Sequence, residues 1–363
     1  VSTHRSEALP RAAEFHLAAH PLPDERSVAA AARALAIARG VPDDDALVLL
    51  LSGGASALLA QPLPGLSLDD KQRVVNAMLR GGANIHALNT VRKHISEIKG
   101  GRLAAACPGG VITLAISDVV DDDLAVIGSG PAVPDPSTWR DAWDALNQYV
   151  SRDEQPATIR ALIERGIAGD IPETPKAGDA AIARASARVI ASRVDAMQGA
   201  REAAEMLGYR VLLIGPAVTG EARVIAPAWL RASLEAGVAG GTCIISSGET
   251  TVRVQGRGRG GRNQEFALAL AESVAAMGGS AAVASVGTDG IDGPTSAAGA
   301  IVDATTLGRS RQLGLVPAHY LADNNSHAFF DALGDLIVTG PTGTNVGDLQ
   351  ILLTGSGPDI TTS

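Results

Sequence analysis

The sequence predicts an α/β protein built as two three-layer domains with largely parallel sheets. Three observations carry that prediction. Apolar runs of strand length alternate along the chain with longer stretches of helical periodicity, the pattern of sheets covered by helices. The chain has 363 residues, more than one compact domain usually holds, so two domains can each bury a core. Hydrophobic residues make up 46% of it and aromatics only 3%, with 41 glycines, a texture suited to close-packed layers of small side chains.

Residues 25–39 read as the first helix, stopped at Gly40, and 46–51, ALVLLL, as an apolar strand. Ser67 and Asp70 form a capping-box variant that starts another helix. Residues 89–102, NTVRKHISEIKGGR, read as one helix and its end, carrying Arg92, Lys93, His94, Lys99 and Arg102. Helical geometry spreads these charges over several faces, so some are expected on the surface, and His94 is expected to pack or cap rather than catalyse. A buried strand is expected at 111–117, helices at 138–150 and 194–207, a strand at 210–214 and a long helix after Gly220. Residues 165–179, rich in Gly, Pro and Asp, form a connector. A second break at 236–241 marks the domain boundary, dividing 1–239 from 240–363. Beyond it come strands at 242–246, 250–255, 283–286 and 336–339 and a helix at 263–277.

Composition narrows the function. A formal charge of -9 repels a nucleic-acid backbone, so local arginine clusters are expected to serve small anions. No apolar run approaches the length of a bilayer, no membrane partner is expected, and the chain reads as cytoplasmic. Cys107 and Cys243 stand far apart without metal-ligand spacing and read as two buried thiols. There is no G-x-x-x-x-G-K-[ST] loop, and with only four lysines, arginines and backbone amides are expected to supply most charge neutralisation.

The most informative stretch is 247–265, SGETTVRVQGRGRGGRNQE, which sets Arg257, Arg259 and Arg262 among glycines between a strand and a helix. Glycines admit a ligand to the backbone, a helix start offers unpaired N–H groups, and arginines add charge, so the stretch reads as a cradle for phosphate or carboxylate. Gly256, Gly258 and Gly261 also meet the G-x-G-x-x-G pattern. Arginines at two spacer positions, and no acidic residue ending a second strand roughly 20 residues on, count against a dinucleotide site. A solvated arginine loop is the remaining alternative.

Other strand ends carry polar turns, where ligands of open α/β sheets bind. Ser52, Gly53, Gly54 and Ser56 either cradle phosphate or form a ligand-free turn. Asp118, at the end of VITLAIS, suits a general base or a Mg²⁺ ligand. Asp289 and Asp292, paired on the glycine-rich turn 287–293, suit a metal, a substrate hydroxyl or Asx turns. Residues 341–348, with Thr344 and Asn345, offer hydroxyls and an amide to a small polar substrate, or form a hairpin turn.

Six ordered motifs carry a family resemblance: LLSGGASALL, NTVRKHISEIKGGRLA, ISDVVDDDLAVIGSGPAVPDPSTW, SGETTV with GRGGRNQEFALALA, GTDGIDGPTSAAGAIVD and GDLIVTGPTGTNVGDLQILL. Over residues 20–353 the chain is similar to the class II glycerate 2-kinase family, long labelled hydroxypyruvate reductases, whose carboxyl-terminal portion is called the MOFRL domain. The resemblance implies a Rossmann-like kinase domain at 1–239, a MOFRL-type domain at 240–363 and a cleft between them. It implies ATP-dependent phosphorylation of the 2-hydroxyl of D-glycerate with Mg²⁺, and a homodimer is compatible with it. Arg262 would grip a substrate carboxylate or the transferring phosphate, and Glu249 would line the same site. Asp118 and Asp289 would act as base or metal ligand, and Asn345 and Thr344 would orient the substrate. Ser52, Gly53, Gly54 and Ser56, with Gly260 and Gly261, would face nucleotide phosphates.

The family pattern also begins with a further helix and strand leading to a Gly-Lys turn in the active site, which has no counterpart here. The expectation is a truncated sequence or a remnant, with impaired activity and a bared sheet edge. SGET lacks a glycine usual in the family, and Ala19 precedes His20-Pro21 where glycine is usual. A reductase using NAD(P)H and hydroxypyruvate, or a non-catalytic ligand-binding chain, are the alternatives to the kinase.

Overall fold

A computed structural model describes residues 1–3, 13–237 and 240–355. The chain divides into two compact units, Val1–Ile190 and Ala191–Ser363. Both are α/β, as the alternating pattern predicts.

The first unit opens with α1 (Glu25–Arg39), whose start is fixed by a capping box between Asp24 and Ser27. Next come β1 (Ala46–Leu51), the single turn α2 (Ala55–Leu58), and α3 (Leu68–Arg80), capped by Ser67 and Asp70 as expected. α4 (Ile85–His94) ends earlier than the sequence suggests, and residues 95–101 separate it from α5 (Arg102–Ala105). β2 (Gly110–Ile116) pairs in parallel with β1, so Leu51 stands beside Ala115 and the two strand ends are neighbours. α6 (Trp139–Tyr149), α7 (Ala157–Ile167) and β3 (Ala185–Ala191) complete the unit, with strand order β1-β2-β3. α1 and α5 pack Ala31, Leu35 and Leu103 against Val111 on one sheet face. Val48, Leu50 and Ile112, on the other face, are exposed, so the described helices layer one side of this sheet and the expected third layer is not among them.

The second unit takes α8 (Arg193–Met206), β4 (Arg210–Glu221) and α9 (Ala222–Glu235), followed by β5 (Thr242–Thr251), α10 (Arg262–Ala269) and α11 (Ala271–Met277). β6 (Ala282–Gly287), β7 (Gly299–Asp303), α12 (Thr306–Gln312), α13 (Pro317–Ala322), α14 (Ser326–Leu333), β8 (Leu336–Ile337) and β9 (Asp348–Thr354) follow. Its six strands run β4-β5-β9-β6-β7-β8. Only β4 and β5 pair in parallel; every other neighbouring pair is antiparallel, so this sheet is mixed where a largely parallel one was expected.

The expected domain boundary lies at 239/240. Residues 238–239 lie outside the described residues, but the units divide at 190/191. The reason is strand pairing: Arg210 stands beside Thr242 and the β4–β5 ladder binds the preceding β4 segment into the second sheet. Residues 252–255, expected as strand, lie beyond the end of β5, and the expected single helix at 263–277 is broken at Leu270.

Helices cover both faces of the second sheet. Phe266 meets the Trp229 ring edge-on at 5.3 Å on one side, and Met197 and Ala204 of α8 pack on Cys243 and Ile245 on the other. Cys107 and Cys243 are free and buried, as expected. No helix among the described residues is long and apolar enough to cross a membrane.

In the first unit, α3, α4, α6 and α7 enclose a separate helical core around Trp139, Met78 and Val91. Gly166 lies so close to Trp139 that a β-carbon there would sit 2.2 Å from the indole. Alanine favours a helix over glycine by about 1 kcal/mol, but forcing a methyl into a packed indole costs about 1–3 kcal/mol. Gly166→Ala is therefore expected to lower stability in urea denaturation, and an unchanged or raised midpoint contradicts this packing.

Candidate functional site

In the second unit the polar cluster centres on Asp348. β9 lies between β5 and β6, and Asp348, its first residue, stands opposite both Gly248 and Gly287. That register brings three chain segments together: Glu249 after Gly248, the turn holding Asp289 after Gly287, and the loop 341–347 before Asp348 itself. Asp348 is fully buried.

Arg262 opens α10 and supplies the compensating charge. Its Nε and Nη2 donate to Asp348 at 2.7 and 3.0 Å, and its Nη1 donates to Glu249 at 2.9 Å. Asn263 donates to the same Asp348 carboxylate at 3.0 Å and accepts from Ser285 at 2.7 Å, so the carboxylate is held from two sides. Burial works against the Arg262 charge, but Asp348 and then Glu249 and Asp292 outweigh it and hold the guanidinium above its ordinary value. A guanidinium has five N–H donors, three of them used here, which leaves two for an anion. The bidentate edge expected for substrate is thus engaged by Asp348.

Asp289, Thr344 and Asn345 come together in one loop cluster. Asp289 accepts from the Ile291 N–H at 3.0 Å and its carbonyl accepts from the Thr342 N–H at 3.1 Å, the Asx-turn alternative among its sequence readings. Thr342 donates to the Thr288 carbonyl at 2.6 Å and accepts from the Thr344 N–H at 3.4 Å. Asn345 accepts from the Gly347 N–H at 3.1 Å through its side-chain oxygen, leaving its NH₂ pair as the group for a ligand.

The glycine run is a packing device, which corrects the cradle expected there. Asn324 accepts from the Gln255 and Gly256 N–H groups at 2.8 and 2.9 Å, Asp323 from Arg257 at 2.9 Å, and Asn325 from Arg259 at 3.1 Å. A β-carbon on Gly258 would lie 2.2 Å from Asn325, one on Gly260 2.1 Å from the Ser326 hydroxyl, and one on Gly261 2.2 Å from the Asp292 carboxylate. The start of α10 is occupied too: Asp292 accepts from the Asn263 and Gln264 N–H groups at 3.0 and 2.9 Å. Burial pushes the Asp292 carboxyl up against those bonds. The α-carbon faces of Gly260 and Gly261 are therefore covered by protein, and both the phosphate role given to them and the dinucleotide reading lose their geometry. The segment itself is exposed to half-buried, so these side-chain acceptors on 323–325 fix its path against the protein rather than rescue a buried backbone.

In the first unit, parallel pairing sets the turn after β1 beside the turn after β2. A β-carbon on Gly53 would lie 2.0 Å from the Asp118 carboxylate, so that face of the turn meets a negative charge, a poor place for phosphate. Ser52, the first residue of the turn, is exposed. Gly54 faces the His20 ring, and the Ser56 hydroxyl lies 2.9 Å from that of Ser129 and 3.1 Å from the Lys99 ammonium.

The basic segment is not on the surface. Lys93 is buried against Asp135 at 3.3 Å, His94 donates or accepts between Thr90 and Glu173 while packing on Trp139, and Lys99 and Arg92 line a cavity with Lys71. Burial lowers the His94 pKa, in keeping with the packed histidine expected. Lys71 and Asp348 are the chemistry-bearing residues the sequence reading passed over, while Asp292 binds backbone amides, the amide-satisfying alternative among its readings. Lys71 sits at helical spacing with Val74, Val75 and Met78, which marks it as facing the core; Asp348 had only its place at a strand start. Among the described residues no group of three or more His, Cys, Asp or Glu side chains is arranged to hold a metal.

A family described as a domain of unknown function, DUF4147, matches residues 1–164, and the MOFRL family matches residues 242–348. A protein of Agrobacterium vitis carrying the label hydroxypyruvate reductase is 42% identical over 98% of this chain and 81% of its own length. The glycerate 2-kinase of Pyrococcus horikoshii is 38% identical over 93% of this chain and 77% of its own. The crystal structure of a glycerate kinase from Thermotoga maritima is similar with a TM-score of 0.84 and 37% identity, covering 96% of this chain and 82% of that one.

Removing Asp348 would leave the Arg262 charge without its buried counter-ion. Breaking a buried pair from one side costs about 3–5 kcal/mol, and the Arg262 side chain, 31% exposed, places this case at the low end. Asp348→Ala is expected to lose about 3 kcal/mol in chemical denaturation; a loss near zero contradicts the central role of the pair.

Proposed function

The chain belongs to the class II glycerate 2-kinase family, and on that footing we propose that it transfers the γ-phosphoryl group of ATP to the 2-hydroxyl of D-glycerate. One observation carries the reading for this chain's own residues: Arg262 is clamped by Asp348, held charged, and keeps two N–H donors, while the strand register of Asp348 brings the turns of Glu249 and Asp289 to the same sheet end. Phosphoryl transfer asks a protein mainly for positioning and charge neutralisation, which a fixed guanidinium provides without reorganising during the reaction.

In the transfer, the 2-hydroxyl oxygen forms a bond to the γ-phosphorus, the bond from that phosphorus to the β–γ bridging oxygen breaks, and ADP leaves. The hydroxyl proton passes to a carboxylate. Asp289 is the proposed acceptor, since it shares a loop cluster with the Asn345 amide that would orient the substrate; Asp118 is the second candidate. Arg262 binds the glycerate carboxylate or the transferring phosphoryl oxygens through its two remaining N–H groups. Glu249 is half-exposed and restrains Arg262 until an anion replaces it. Thr344 contributes its hydroxyl to the same loop.

Mg²⁺ takes oxygen ligands and commonly uses only one or two protein carboxylates besides phosphate and water. Asp118 in the first unit and Asp289 in the second are each a strand-end donor of that kind. Bound at either one, the ion would neutralise phosphate charge.

The test is direct. With ATP and D-glycerate the protein is expected to form 2-phosphoglycerate and ADP, followed by ³¹P NMR. Arg262→Lys, which keeps the charge but not the fork, is expected to lower kcat by about 10²-fold or more. Oxidation of NADH by hydroxypyruvate in place of phosphoryl transfer refutes the kinase reading. Glycerate and nucleotide binding without turnover in calorimetry leaves the non-catalytic alternative standing instead.

A further inference from the structure

The first unit contains a cavity of about 360 Å³ whose charged lining is entirely basic among the described residues: Lys71 from α3, Arg92 from α4 and Lys99 from the segment after it. Gly54, Ser56 and His20 line it as well, and no carboxylate does. Lys71 is only 4% exposed and its ammonium nitrogen has no hydrogen-bond partner. An ammonium removed from water with nothing to bond costs several kcal/mol or loses its proton. Lys99 differs: its ammonium donates to the Ser56 carbonyl at 2.8 Å and hydroxyl at 3.1 Å, a strap that explains its burial. Nothing of that kind explains Lys71.

We propose that this cavity is a binding site for a phosphoryl-group oxyanion, with Lys71 as its principal ligand and Arg92 and Lys99 as the flanking charges. Three cations lacking a carboxylate within apolar walls are mutually repulsive until an anion enters, and the surrounding low dielectric strengthens each attraction when it does. A tetrahedral oxyanion would accept from Lys71 and Arg92, while Lys99, whose ammonium is already held by the Ser56 and Gly128 oxygens, adds its charge. The inference rests on the kinase reading only for the origin of the phosphoryl group, which is either the tail of the nucleotide or the phosphorylated product.

The charge pattern has a titration signature. Burial, and then Arg92, lower the Lys71 pKa to about 7, and burial with Lys71 and Arg92 lowers that of Lys99 well below its ordinary range. An anion in the cavity reverses the repulsion and raises Lys71. Binding at slightly alkaline pH should therefore take up a proton, and affinity should weaken as pH rises above 7. The groups facing Lys71 across the cavity are Arg92, Lys99 and His20.

Pyrophosphate is the probe. Titration calorimetry of the whole protein at about pH 8, in two buffers of different ionisation enthalpy, is expected to show proton uptake on binding. Lys71→Met removes the charge at similar volume; it is expected to bind about tenfold or more weakly, with proton uptake lost and the melting temperature unchanged or raised. ADP displacing pyrophosphate identifies the nucleotide tail as the source, and 2-phosphoglycerate displacing it in place of ADP identifies the product; both support the site. Displacement by D-glycerate alone overturns the phosphoryl assignment. Absence of proton uptake in the unaltered protein, or equal affinity in Lys71→Met, overturns the role of Lys71. A protein that binds pyrophosphate through Lys71 but does not phosphorylate glycerate refutes the kinase reading and leaves this site intact.

Discussion

A carboxylate shut away from water has to be paired, and at Asp348 the fork of Arg262 does it. β9 is hydrogen-bonded on both sides, to β5 and to β6, so the backbone around Asp348 is committed to the ladder and cannot solvate the charge. Side chains must, and the ones in reach are Arg262 and Asn263, in the first turn of α10. The position of α10 is thereby set against the centre of the sheet. Its first amides are in turn closed by Asp292, which lies on the same glycine-rich turn as Asp289. One buried negative charge thus ties a strand, a helix start and a loop into a single unit, and two N–H donors of Arg262 remain outside that arrangement.

The two units treat buried charge in opposite ways. In the second, Arg262 is paired with Asp348 and Glu249 and Arg223 with Glu265 at 2.7 Å, while Asp292 is held by amide N–H groups. In the first, Lys93 is paired with Asp135, yet the buried Lys71 ammonium has no hydrogen-bond partner among the described residues. Compensated charge fixes geometry; uncompensated charge creates affinity for a missing partner. Both are useful in handling phosphates, where one group must be held still while another changes bonds.

Much of the site was legible because its residues sit at strand ends. Asp289, Thr344 and Asn345 were singled out by their place on polar turns, Arg262 by its place at the end of the glycine run and Glu249 by the family resemblance, and in the second unit the sheet draws these segments together. The glycine run was misjudged for a physical reason. Close approach to backbone looks the same in sequence whether the visitor is a ligand or the protein's own Asp323–Asn325 segment, and here it is the latter, some 66 residues along the chain. The basic segment was misjudged because a continuous helix was assumed; the break after His94 turns Lys99 inward.

By itself the sequence determined the alternation of strands and helices and the capped helix starts, because caps depend on spacings of two to four residues, as at Asp24 with Ser27 and Ser67 with Asp70. It also determined the family, through six motifs in order. Strand order and direction were decided only in the tertiary structure, and with them the mixed second sheet, the division at 190/191 and the meeting of Asp348 with Gly248 and Gly287. So was the fate of each charge. Whether an arginine is spent on a buried carboxylate, or a lysine left facing a cavity, depends on burial and on partners distant in the chain, and no local spacing encodes either.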